Sequence, residues 1–241
     1  MIQKLRSVLF TVLFYSITLV LFVLMLWTLF LPRKKSLCFP IFWCHVSRWL
    51  LFLCCGIRIR VEGLENLPKK DGYIVASKHQ SAMETLVFHR LVPNTFYVLK
   101  RELMWLPLAG LYFIKTGCIP IDRQGGATTM RKMLTGVHSR LAEGMNLIIF
   151  PEGTRTEPGV KKPYSPGVAF LYDQCQVPVV PVALNSGYCW PKNKIMKRKG
   201  TVTIRFLEPI PPGMPKRSFL DELYHRIETA QDTLPHPFEE E

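Results

Sequence analysis

At 241 residues the chain has room for one α/β domain with a sizeable core and a membrane-binding segment, which excludes a large multidomain assembly. Its 31 Lys and Arg against 18 Asp and Glu give a formal net charge of +13, which points to an anionic partner: nucleic acid, an acidic membrane surface or a phosphorylated substrate. Ser7 to Leu31 carries no charge and reaches roughly 37 Å as a helix, enough to cross a hydrocarbon core, so the membrane reading displaces nucleic acid.

Lys4 and Arg6 precede this apolar run as they would in a signal peptide, but the run is too long and no small-residue cleavage site follows, so it reads as retained. Pro32-Arg33-Lys34-Lys35 ends it, and a second apolar stretch from Cys38 to Gly56 follows, interrupted by His45 and Arg48. Two helices joined by a basic corner are expected. Two full crossings would leave that corner outside and the rest of the chain inside, against the positive-inside tendency. A single span and a hairpin dipping into one leaflet both fit better. The expected division is an anchoring region over 1–56 and a catalytic domain over 57–241.

From Ile57 short β-rich runs alternate with helix-like stretches, the pattern of an α/β layer fold with a mixed sheet flanked by helices. The pattern predicts strands at Ile57–Val61, Tyr73–Ala76, Thr95–Leu99, Cys118–Ile121, Asn146–Phe150, Val179–Ala183 and Val202–Phe206. It predicts helices at Ser81–Leu91, Gly126–Glu143, Gly167–Cys175 and Ser218–Thr229, with a short one near Leu103–Leu106. The seven cysteines show no metal-ligand spacing and read as reduced, buried or lipid-facing thiols in a cytoplasmic compartment. No metal or redox cofactor is indicated.

The chemistry-bearing residues follow strands. His79 stands five positions before Glu84, about 140° apart on a regular helix, so the two meet only if His79 precedes the helix. Ser81-Ala82-Met83-Glu84 matches a capping box, which would start the helix there and put His79 on the approach loop. The cap is an alternative explanation for Glu84, alongside a role as the carboxylate that orients a general-base histidine. Phe150-Pro151-Glu152-Gly153-Thr154-Arg155 follows an apolar strand, where α/β sheets place ligands. Pro151 stops that strand, Gly153 allows a tight turn, and Arg155 with Thr154 could hold a phosphate. Lys100 and Arg123 also follow strands and add to a possible anion pocket, though each alone is an ordinary surface charge. Val177 to Leu184, with two prolines, would line an apolar groove or end the sheet. Lys192, Lys194, Lys197, Arg198 and Lys199 form a basic run expected in a loop, either solvated or resting on anionic lipid.

With these blocks in place, the sequence resembles the 1-acyl-sn-glycerol-3-phosphate (lysophosphatidic acid) acyltransferase family, from about Ile57 to Phe206 and with the apolar N-terminus typical of that family. Four blocks occur in the family's order: His79 with Glu84, Gly117 to Arg123, Phe150 to Arg155, and the Val-Pro-rich strand. The family usually has Asp at the position of Glu84 and often Asn at that of Lys78. The resemblance implies a glycerolipid acyltransferase-like fold, with His79 and Glu84 as catalytic residues. It implies substrate binding by Lys100, Arg123, Glu152, Gly153, Thr154 and Arg155. The implied reaction moves an acyl chain from acyl-CoA or acyl carrier protein to the sn-2 hydroxyl of lysophosphatidic acid, on the cytoplasmic side of a bacterial inner membrane. Its partners would be membrane lipid, the acceptor and the donor, with no cofactor beyond the donor. Alternatives are a related enzyme acting on glycerol 3-phosphate or another lyso-lipid, and a non-catalytic protein that binds anionic lipid.

Overall fold

The computed structural model describes residues 1–122 and 126–238. The uncharged N-terminal run forms α1 (Ile2–Leu24) and a 3-10 turn at Leu26–Phe30, and the basic corner starts α2 (Arg33–Ser36). α3 (Cys38–Leu50) continues through a π turn at Leu51–Cys55. Gly56, at φ +69°, gives its N–H to the Phe52 carbonyl at 2.8 Å, a left-handed cap that suits glycine and ends the helix one residue before the first strand. The remaining elements are β1 (Ile57–Glu62), β2 (Ile74–Ser77), α4 (Phe88–Leu91), β3 (Thr95–Lys100), α5 (Ala109–Lys115), β4 (Ile119–Ile121), α6 (Gly126–Ala142), β5 (Asn146–Ile149), α7 (Pro166–Cys175), β6 (Val179–Leu184), α8 (Ser186–Cys189), β7 (Gly200–Phe206) and α9 (Lys216–Asp232).

The seven strands make one sheet in the order β1-β7-β6-β2-β5-β3-β4, parallel throughout except for the β6–β7 pair. All seven lie where the apolar runs predict them. Alternate residues serve opposite faces. Ile74 and Ala76 join Met133, Val168 and Phe219 from α6, α7 and α9, whereas Tyr73 and Val75 join Phe10 of α1 and Leu51 after α3. The N-terminal hairpin therefore covers one face of the sheet and shares its core.

Two helical stretches, Ile2–Leu24 and Arg33–Cys55, are long and apolar enough to cross a membrane. Their packing shows how they sit on the body. Phe10 is 1% exposed and meets Trp190 edge-on at 5.4 Å, while Val8, Val12, Tyr15 and Leu19 face outward. Near one end of α1 the Ser7 hydroxyl accepts the Lys197 N–H at 2.9 Å. Near the other, the Tyr112 hydroxyl donates to the Phe22 carbonyl at 2.9 Å. Ser7 and Phe22 are roughly 22 Å apart along a helix, so α1 lies along the body instead of projecting from it.

Three expectations need correcting. The helix predicted over Ser81–Leu91 is a 3-10 turn at Met83–Leu86 followed by the short α4. Ser81 Oγ accepts the Met83 N–H, Glu84 reaches back to the Ser81 N–H, and Thr85 Oγ1 donates to the Ala82 carbonyl, and these local bonds favour the tighter turn. The Val-Pro strand β6 is interior and does not end the sheet. Pro181 is tolerated there because it falls between the isolated Val179–Ile210 bridge and the first β6–β7 pair, Val182 with Phe206. Lys197, in the basic run, is 3% exposed; its ammonium sits 4.8 Å from the ring centroids of both Phe10 and Trp190 and donates to Thr11 Oγ1 and the Ile195 carbonyl.

Phe10→Ala should therefore lower stability by about 3–5 kcal/mol, as for a large buried aromatic, while Tyr15→Ala on the outer face should change it little. Chemical or thermal unfolding of the purified protein in detergent checks both.

Candidate active site

The sheet brings the motifs together. β2 and β5 are parallel neighbours with Ala76 opposite Ile149, so His79 and Glu152 each come three residues past a matched pair. β6, on the other side of β2, has Val182 opposite Ser77 and delivers Ser186 to the same edge. β3 and β4 end together at Lys100 and Ile121. Arg123, expected from the sequence to bind substrate, lies outside the described residues.

His79 Nδ1 lies 3.0 Å from Glu84 Oε2. As donor to that carboxylate, Nδ1 carries the proton, which leaves the Nε2 lone pair free to accept one. The imidazole stacks on Phe150 at 3.9 Å and 16°, fixing its plane. Glu84, 1% exposed, also accepts the Ser81 N–H at 3.0 Å and the Ser186 hydroxyl. The two sequence readings of Glu84 thus coexist in one carboxylate: it caps the turn and it holds the imidazole. Ser186 was not singled out in the sequence, and only the alignment of β6 with β2 reveals it.

The Phe150–Arg155 segment grips the backbone of His79. Glu152 Oε2 accepts the His79 N–H at 2.9 Å, and the Thr156 N–H donates to the His79 carbonyl at 2.7 Å. The Glu152 side chain is wholly buried, with Oε1 3.0 Å from Lys78 Nζ, an ion pair by distance though out of line for a hydrogen bond. The carboxylate of Glu152, expected from the resemblance to bind substrate, turns inward here, with its two oxygens beside the His79 N–H and the Lys78 ammonium at the base of the loop that carries His79. Lys78 Nζ also meets Glu228 Oε1 on α9 at 2.5 Å, and the Tyr164 hydroxyl donates to the same oxygen at 2.8 Å.

Gly153 takes φ +65° and donates to the Phe150 carbonyl at 2.9 Å, the tight turn expected after β5. Among the described residues no carboxylate pairs with Arg155. Lys192 Nζ donates to the Arg155 carbonyl at 3.0 Å, bringing a second cation to this loop. Lys100 pairs with Glu102 at 3.0 Å on the surface.

A cavity of about 580 Å³ has His79, Phe150, Pro151 and Gly153 in its wall, and also Lys100. It runs to Phe22, Phe39 and Trp43 of the hairpin and Tyr112 of α5, where Phe39 and Tyr112 rings stand 4.2 Å apart. Its size and apolar lining suit a hydrocarbon chain. Burial pushes the His89 imidazole in its wall down to about 4, so at neutral pH that ring adds no charge. The hairpin residues in this wall look, in sequence, like any other apolar helix positions.

Lys78→Met should destabilise the protein by roughly 3–5 kcal/mol, because it leaves the Glu152 and Glu228 carboxylates buried without their cation. Unfolding curves compared with exposed Lys161→Met, which loses only a surface pair with Asp232, measure this.

Comparison with known proteins agrees with this geometry. Residues 58–185 match the acyltransferase family. The chain is 36% identical over 162 residues to the 1-acyl-sn-glycerol-3-phosphate acyltransferase of Pseudomonas aeruginosa, covering 67% of this chain and 63% of that one. It is 33% identical over 183 residues to 1-acyl-sn-glycerol-3-phosphate acyltransferase alpha of Bos taurus, covering 74% of this chain and again 63% of the relative. The matches thus span less than two thirds of these relatives' length. The crystal structure of the 1-acyl-sn-glycerophosphate (LPA) acyltransferase PlsC from Thermotoga maritima shares the fold, with a TM-score of 0.84 at 23% identity over 99% of this chain and 100% of that one. By the family match across the segment that carries His79, Glu84 and the Phe150–Arg155 turn, the chain belongs to the acyltransferase family.

Proposed function

We propose that the chain transfers an acyl group from acyl-CoA or acyl carrier protein to the sn-2 hydroxyl of 1-acyl-glycerol-3-phosphate, forming phosphatidic acid. The observation that carries this reading is the His79–Glu84 pair, 3.0 Å apart, in the wall of an apolar cavity large enough for an acyl chain. Relatives named for this activity support it.

In this reading Nε2 of His79 takes the proton of the acceptor hydroxyl as the oxygen attacks the thioester carbonyl. Glu84 stabilises the imidazolium that forms. Collapse of the tetrahedral intermediate expels the thiolate, which takes the proton back from Nε2 and leaves as the thiol. The acyl chain lies in the cavity with its carbonyl at His79. Arg155, with Thr154, Gly153 and Lys192 beside it, holds the acceptor phosphate and so turns an encounter into a positioned reaction. The family resemblance adds Lys100 and Arg123 to that group.

The hairpin suits a place in one leaflet, on the cytoplasmic side of a bacterial inner membrane. Both ends of α1 are bonded to the body while its outer face is apolar, so a perpendicular crossing would drag the body into the bilayer. The anchoring role of 1–56 and the catalytic role of 57–241 then meet in the cavity wall.

The test is an assay of the purified full chain with lysophosphatidic acid and each donor type. His79→Ala should fold normally and lose at least about 100-fold in transfer. Arg155→Ala should mainly raise the acceptor KM, by a factor equivalent to roughly 1.5–3 kcal/mol. Near-normal turnover without His79 contradicts the mechanism, and a raised donor KM with unchanged acceptor response would move Arg155 to the donor.

A further inference from the structure

The loop that carries His79 is held from three directions. Glu84 closes it from within, and Glu152 clamps it from the end of β5. The third contact comes from the turn after β6, Asn185-Ser186-Gly187, to which no step of the transfer gives a part.

Ser186 opens α8 and is 1% exposed. Its hydroxyl donates to Glu84 Oε1, while Oε2 of the same carboxylate lies 3.0 Å from His79 Nδ1. The Ser81 N–H stands 3.0 Å from Oε1 and 3.1 Å from Oε2, so it does not by itself decide which oxygen meets the ring. A further N–H, from Gln80, is long at 3.4 Å. The Ser186 hydroxyl breaks this near-symmetry, because a strong donor on Oε1 alone fixes the rotation of the carboxylate and leaves Oε2 to Nδ1.

The turn is anchored well enough to impose that choice. Asn185 Oδ1 accepts the Thr203 N–H at 2.8 Å, and its Nδ2 donates to the Pro235 carbonyl at 2.8 Å, which ties the end of β6 to β7 and to the chain after α9. The Gly187 N–H donates to Gln80 Oε1 at 3.0 Å, and a Cβ added at Gly187 would stand 2.8 Å from Pro158 and 2.9 Å from Gln80. The backbone therefore fits closely between the His79 loop and the segment after Arg155, where a larger side chain has no room. A serine this near a base could also be an acyl-accepting nucleophile, but the geometry opposes that role. Its hydroxyl gives its proton to a carboxylate, and no residue of α8 is among the described residues lining the cavity.

We propose that Ser186 is a positioning residue for acyl transfer. Through its hydrogen bond to Glu84 it holds the carboxylate in the rotation that keeps the proton on His79 Nδ1 and leaves Nε2 free as the base. This rests on the reading of His79 as the general base.

The test is steady-state transfer to lysophosphatidic acid by the full chain in detergent, with the donor type that supports turnover and with rates referred to the folded fraction read from unfolding curves. Ser186→Ala should lower kcat about tenfold, the low end for a lost hydrogen bond to a charged group, and leave both KM values near the parent's. Ser186→Thr keeps the hydroxyl and should recover most of the loss. In a Glu84→Gln background the carboxylate is already gone, so adding Ser186→Ala should cost less than about twofold more. Losses that multiply in the double variant would mean that Ser186 acts elsewhere, and would overturn the proposal. So would a Thr variant as slow as Ala, or an Ala variant as fast as the parent while His79→Ala is inactive; that last result leaves His79 as the base. Near-normal turnover by His79→Ala would remove the base reading and this inference with it.

Discussion

Three carboxylates are buried around the base of the loop that carries His79. Glu84, Glu152 and Glu228 are all shielded from water, and an ion so placed loses several kcal/mol of solvation unless its neighbours replace the water. Each replacement holds the loop that carries His79 in place. Glu84 is satisfied by His79 Nδ1, Ser186 and the Ser81 amide, which fixes the imidazole tautomer. Glu152 is satisfied by Lys78 and the His79 amide, which fixes the backbone below the ring. Glu228 reaches the same lysine from the last helix, so an element remote in sequence supports the base of the site. The charges are tolerable only while the loop keeps its shape.

The same sheet explains why the hairpin cannot be a detachable anchor. α1 and α3 cover one sheet face, and Phe22, Phe39 and Trp43 close the apolar cavity that begins at His79. A chain-length preference set in that cavity would depend on how the hairpin packs, and the packing depends in turn on Phe10 and the buried Lys197. The apolar hairpin and the shape of the cavity are thus coupled through one pair of helices.

Much of this was legible in the sequence, for stated reasons. Strands announced themselves as short β-rich runs between turn residues, and His79, Gly153 and Arg155 stood out because each follows such a run. What sequence could not supply was registration between strands. Ala76 facing Ile149 lets Glu152 clamp the backbone of His79, and Val182 facing Ser77 brings Ser186 to Glu84. The hairpin hides its buried face for a different reason: a helix apolar on all sides carries no periodic signal of which face is buried, so in sequence Phe10 and Phe22 look like Tyr15. Lys197 was hidden for the opposite reason, since a lysine in a basic run gives no hint that its stem and ammonium lie against two aromatic rings.

The central claim is that Glu84 acts on His79 as well as on the turn. Glu84→Gln keeps a carbonyl oxygen for the Ser81 amide and so most of the cap, but it removes the negative charge, and its NH2 group facing Nδ1 would favour the tautomer with the proton on Nε2. Turnover and melting temperature should be measured together on the parent, Glu84→Gln and Glu84→Asp. Gln should lose at least about tenfold in turnover, about 1.4 kcal/mol, with little change in melting temperature, and Asp should keep more activity than Gln. A Gln variant as active as the parent would leave Glu84 a cap and nothing more.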